Sequence, residues 1–180
     1  MTRRHSTMLA VCLVVAGLGW AVANVGADSG NKSPRVPPEG VLRLQATTLP
    51  DAAGQATPIA EWKGKILIVN FWATWCSPCR KEMPAFSRLH AKLAEKGVQF
   101  VGIGIDSPSA IKEFAFQTPV SYPLLVSGSE GLDLIRALGN QVAALPYTVV
   151  LDRKGKAVFS RLGLVDEAEL EKLLDRLLAA

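Results

Sequence analysis

Two kinds of pattern alternate along the chain. From Ile66 to Trp72 (ILIVNFW) every position but Asn70 is aliphatic or aromatic, which predicts a central strand covered on both faces rather than one with a wet side. Val98 to Ile105 repeats this pattern, Leu124-Leu125-Val126 and Tyr147 to Leu151 predict shorter strands, and Lys156 to Leu162 the second arm of a hairpin turning at Asp152-Arg153-Lys154-Gly155. Between them the apolar positions recur at helical spacing. A helix opens at Cys76, runs to Lys96 through Pro84, which should kink it, and stops at Gly97. Asp106-Ser107-Pro108 opens a second helix reaching about Gln117, and Glu130 to Leu138 forms a third. Val165 to Leu178 closes the chain with Leu170, Leu173, Leu174 and Leu177 on one face. Ahead of these, Leu42 to Leu49 reads as a short strand, Pro50 to Gly54 as a turn, and Ile59 to Trp62 as a helical connector stopped by Gly64. Strand, helix, strand, helix, then hairpin and helix predicts an α/β protein with a central mixed β-sheet flanked by helices.

The first residues obey a different rule. Arg3 and Arg4 precede a nearly unbroken apolar run from Met8 to Ala23 that ends in small residues, so residues 1–23 read as an export signal. The run extends to Ala27 with only Asn24 interrupting. Residues 7–27 therefore approach the roughly 20 apolar residues of a membrane span, and a signal-anchor in the inner membrane is the other reading. Either way the rest of the chain lies outside the cytoplasm, in a periplasmic or other extracytoplasmic space. Residues 24–40 carry Pro34, Pro37 and Pro38 among polar residues and read as a linker, leaving 41–180 as one domain. Without Arg3 and Arg4 the 20 basic residues become 18 against 16 acidic ones, and the net charge falls from +4 to +2. Nucleic-acid binding loses its electrostatic basis.

Chemistry concentrates where the first buried strand meets its helix. Cys76-Ser77-Pro78-Cys79 places two cysteines on one side of a first helical turn, with Pro78 where its missing N–H costs nothing. Their sulfurs can join in a reversible disulfide. The positive end of the helix faces Cys76 and should lower its thiol below the free value of about 8.5, making it the nucleophile. Cys79, one turn deeper, becomes the resolving thiol that attacks the mixed disulfide. The competing reading of a C-x-x-C is half a zinc site, but the remaining candidate ligands are Cys12, in the apolar segment, and the distant His5 and His90. A cysteine hydrolase would have to use His90, which reads as an exposed helix residue, as its base. No metal site is expected, and no cofactor beyond the redox-active pair Cys76 and Cys79.

Phe71-Trp72-Ala73-Thr74-Trp75-Cys76-Ser77-Pro78-Cys79, with Pro84 beyond, resembles the active site of the thioredoxin superfamily. Asn70 before it and Arg80-Lys81-Glu82-Met83-Pro84 after it resemble the TlpA/ResA-like branch of extracytoplasmic thiol:disulfide oxidoreductases, over about Gly40 to Leu178. The resemblance implies a thioredoxin-like fold with an N-terminal hairpin and a helix-containing central insertion. It also implies that Pro146 is cis and faces the disulfide, leaving the backbone of Leu145 to pair with a substrate chain, and that Glu82 sits near Cys79 and takes its proton. The alternative for Glu82 is a solvated partner of a nearby lysine or arginine. Asn70 stands where thioredoxin has a buried aspartate and reads as structural; Trp75 reads as an apolar lip beside Cys76 or as plain packing. Tyr147 departs from the threonine of the pattern.

That branch is mostly reductive. The expected protein is a monomeric protein-disulfide reductase, recharged by a membrane thiol electron donor and acting on exported protein disulfides, such as those of cytochrome c or cytochrome oxidase assembly. A peroxiredoxin-like thiol peroxidase and a non-catalytic copper-binding module are the alternatives.

Overall fold

A computed structural model of the chain describes residues 35–180; the export or anchor segment and the linker up to residue 34 lie outside the described residues. Five strands form the main sheet, β3 (Ile66–Trp72), β4 (Val98–Gly104), β5 (Leu124–Val126), β6 (Tyr147–Leu151) and β7 (Ala157–Leu162), in the order β5-β4-β3-β6-β7. The pairs β3/β4 and β4/β5 are parallel, β3/β6 and β6/β7 antiparallel. Every residue of β3 and β4 is buried, as their unbroken apolar runs require in a sheet covered on both sides.

Period-two alternation divides the sheet's side chains between two cores. On one face Ile66, Ile68 and Trp72 of β3 and Val150 of β6 pack beneath α2 (Ser77–Leu93) and α5 (Glu167–Ala179), with Ile111 of α3 (Pro108–Gln117). On the other, Leu67, Val69 and Phe71 meet α1 (Pro38–Gln45) and α4 (Gly131–Ala137). This alternation puts Asn70 of β3 on the α2 face. The register places Thr148 of β6 directly opposite it.

The region ahead of β3 differs from its sequence reading. Leu42 to Leu49 is not a strand: Pro38–Gln45 is helix α1, and only Thr48–Pro50 forms a strand, β1, paired antiparallel with β2 (Ala56–Pro58). Helix α1 starts inside the stretch read as linker. Its start is set by Pro38 in the first turn with Glu39 behind it, and its burial of Gly40, Val41 and Leu44 follows helical spacing. Tertiary packing decides the matter. Gly40 lies so close to α4 that a Cβ there would stand 2.1 Å from the Ala137 carbonyl oxygen, an approach open only to glycine. An isolated bridge between Asp51 and Leu125 joins the small hairpin to the edge strand β5.

Helix α2 runs without interruption through Pro84, and Gly97, at φ 86°, ends the 3-10 turn after it in the left-handed region. His90 is half-buried on this helix rather than exposed, with Ser121 bonded to its Nδ1 and the rings of Phe100 and Tyr122 packed edge-on against it.

Candidate active site

The site forms where β3 delivers the chain to α2. Thr74 in the connecting turn is pinned by Asp106, whose Oδ2 accepts from the Thr74 hydroxyl and from its N–H at 3.2 Å. Burial alone would raise the Asp106 carboxyl, but the bonds from Thr74 and Ser107 outweigh it and hold the group below its ordinary value. Cys76 is the N-cap of α2 and accepts the Cys79 N–H at its Sγ, 3.3 Å away. That bond would favour a thiolate at Cys76 once the disulfide opens. Cys76 and Cys79 are disulfide-bonded with a Cα–Cα distance of 5.3 Å. Cys76 retains 5% of its surface and Cys79 none, so an incoming group reaches Cys76 first.

Glu82, one turn beyond Cys79, points inward. It is 4% exposed, and none of the ion pairs formed among the described residues includes it. The reading as a solvated partner of a surface cation therefore fails. Asn70 Nδ2 donates to its Oε1 at 2.8 Å and the Val165 N–H to its Oε2 at 3.1 Å; Asn70 Nδ2 also donates to Thr148 Oγ1 at 3.1 Å. Burial pushes the carboxyl from 4.5 up to about 7, against the lowering effect of those two donors. Tyr122, buried in the same core as both cysteines, is raised first by burial and then by the charge of Glu82. A carboxyl that burial pushes up to about 7, one helical turn from Cys79, has the chemistry to take up or release a proton near neutral pH.

The Leu145–Pro146 peptide is cis at the start of β6. Pro146 is buried, Leu145 half-buried, and Leu145 touches both cores. Tyr147 points away from the disulfide face, its hydroxyl donating to the Leu138 carbonyl at 2.7 Å, so its departure from threonine alters the α4 core and not the disulfide face. Trp75 is 70% exposed and its indole is surface, not core. Asn70, which reads as structural in the sequence, holds Glu82, and Thr148 and the Val165 N–H join it as site groups that the cysteine motif does not mark. Position parity on β3 and β6 was the one sequence signal for the first two.

The sequence profile of the family described as Redoxin matches residues 32–174. The chain belongs to the Redoxin family. Within that family it is similar to the thiol-disulfide oxidoreductase ResA of Bacillus thuringiensis subsp. konkukian, 33% identical over 128 residues, 71% of this chain and 72% of that one. Among solved structures, a thioredoxin-related protein from Neisseria meningitidis serogroup B is 37% identical with a TM-score of 0.64, covering 73% of this chain and 99% of that one. A putative thiol:disulfide interchange protein DsbE from Chlorobium tepidum is 25% identical with a TM-score of 0.67, covering 81% and 96%. This Redoxin is thus a ResA-like member of the thioredoxin superfamily, with a thioredoxin-like fold, and a protein-disulfide oxidoreductase. No helix among the described residues is long and apolar enough to cross a membrane.

Proposed function

We propose that the chain works in the reducing direction on disulfides of exported proteins, as in the assembly of cytochrome c or cytochrome oxidase, with residues 7–27 directing it to or holding it at the extracytoplasmic face of the membrane. The observation that supports stepwise disulfide exchange is the asymmetry of the two cysteines: Cys76, the N-cap of α2, is reachable, while Cys79 is sealed one turn from the buried Glu82.

The cycle begins with the reduced dithiol. The Cys76 thiolate attacks one sulfur of a substrate disulfide; an S–S bond forms to Cys76, the substrate bond breaks, and the released substrate thiolate takes up a proton. The Cys79 thiol then loses its proton to Glu82 and attacks Cys76 Sγ, expelling the second substrate thiolate. Two electrons pass to the substrate, which leaves as a dithiol, and the Cys76–Cys79 disulfide remains. A membrane thiol donor restores the dithiol by the same exchange in reverse, and the cysteine pair needs no bound cofactor for it. The cis Pro146 and the Leu145 backbone would align an extended substrate beside the disulfide, with Trp75 as an apolar lip.

Equilibration with glutathione buffers tests the direction. The expected potential lies nearer thioredoxin's value of about −270 mV than the roughly −120 mV of a strong oxidant, and a value above about −180 mV would overturn the reductant assignment.

A further inference from the structure

Beside the disulfide a cleft of about 260 Å³ opens between α2 and α3, lined by Ser77, Arg80, Lys81, Phe114 and Thr118. Ser77 is the residue between Cys76 and Pro78, so whatever sits in the cleft lies within one residue's reach of the reactive sulfur. The volume falls below the roughly 300–1,000 Å³ of pockets that enclose whole ligands; it suits one side chain. Phe114 forms a fixed wall, its ring 4.8 Å from that of Trp72.

The charge on this wall is one-sided. Arg80 and Lys81 are both exposed and take part in none of the ion pairs formed among the described residues. The first turn of α2 holds no acidic residue. None of the acidic groups on the flanking elements lines the cleft: Glu82 faces inward to Asn70 and Val165, Asp106 holds Thr74, and Glu113, bonded to Gln117, keeps its charge outside the lining. We infer that the cleft selects disulfide substrates bearing an acidic residue next to the attacked cysteine, whose carboxylate it seats between Arg80 and Lys81 with its methylenes against Phe114. Arginine and lysine on a rim steer an anionic partner in and penalise a cationic one, which is selection by charge rather than by area. The inference rests on the exchange reading above and names the substrates it favours.

The test uses the reduced full chain in detergent and peptides closed by one disulfide, identical except that the residue flanking each cysteine is Glu, Gln or Lys. At low ionic strength the Glu peptide should oxidise the dithiol about tenfold faster than the Lys peptide, with Gln between. Near 1 M salt, where screening acts within about 3 Å, the gap should shrink to roughly twofold. The ratio should collapse in R80Q/K81Q and invert in R80E/K81E; being a ratio, it is insensitive to any change in the intrinsic reactivity of Cys76. Equal rates in the unaltered chain, or a preference that survives the charge reversal, would overturn the inference while leaving disulfide exchange standing. Failure of every peptide to oxidise the dithiol would instead overturn the exchange reading and this one with it.

Discussion

Replacing Glu82 with Gln tests the buried carboxyl through stability as well as rate. A carboxyl whose value rises on folding from 4.5 to about 7 binds its proton more tightly in the folded chain. Its contribution to stability is therefore complete below pH 4.5 and is lost as the pH rises through about 7, because above that a charge is buried that the unfolded chain keeps in water. At about 1.4 kcal/mol for each pH unit between those two values, the loss amounts to about 3 kcal/mol. For a chain of this size, that corresponds to roughly 6–12 °C in melting temperature.

Glu82→Gln removes this loss while keeping the shape. The protonated acid and the amide make the same demand: one oxygen accepts from the Val165 N–H, and the other atom donates toward Asn70. Asn70 can meet it by turning its amide over, since its Oδ1 has no partner in the present arrangement; the Thr148 hydroxyl then donates to the same oxygen. The variant and the unaltered protein should differ by less than about 1 kcal/mol at pH 5 and by about 3 kcal/mol at pH 8.5, with the variant the more stable. His90 acts in the opposite sense, since burial lowers it below 6.5 and its contribution is lost as pH falls, but it is present in both proteins and cancels in the difference. Over the same range, resolution of a trapped mixed disulfide should slow by up to about 10²-fold at neutral pH, the low end for a general base, because water also accepts thiol protons. The apparent values belong to the two thiols and the carboxyl as a group. Melting curves on the reduced proteins from pH 5 to 8.5 decide the matter: parallel pH dependence in both would show that Glu82 does not titrate there.

Two further outcomes follow from the same geometry. Cys79→Ala should accumulate mixed disulfides with partner proteins through the reachable Cys76, and Cys76→Ala few, read by mass spectrometry after alkylation; equal trapping would contradict the division between nucleophile and resolving thiol. Gly40→Ala should lower the melting temperature even though alanine favours a helix by about 1 kcal/mol, because its Cβ would meet the Ala137 carbonyl at 2.1 Å and overpacking of this kind costs about 1–3 kcal/mol; an unchanged or higher melting temperature would show that α1 can move off α4 freely.

How far the fold could be read depended on whether a segment's own pattern or its neighbour decided its form. Strands β3 and β4 are buried on both faces, so their composition announced them, and the hairpin of β6 and β7 was marked by the turn at Asp152, whose Oδ1 accepts from Lys154 and Lys156 N–H groups. Residues Pro38 to Gln45 carry only two turns of helix, too short to be stable alone. Their helix exists because Gly40 allows contact with α4 and because Val41 and Leu44 close the core over β3. Nothing local separates that from a strand with the same apolar residues.

The site divides in the same way. The cysteines carry their chemistry in their spacing, and the helix N-terminus that tunes Cys76 follows from the strand before it. Glu82 has no such local mark: its burial depends on Asn70 and Val165, which lie 12 and 83 residues away. Asn70 reaches it because β3 turns alternate residues toward α2, and Val165 because the chain after β7 crosses back over that helix before α5 begins. A charged residue three places beyond a cysteine looks the same in sequence whether it faces water or the core. Here an uncharged donor from the sheet and a backbone amide from a distant loop hold it inside, and its being held inside is what brings its titration to neutral pH.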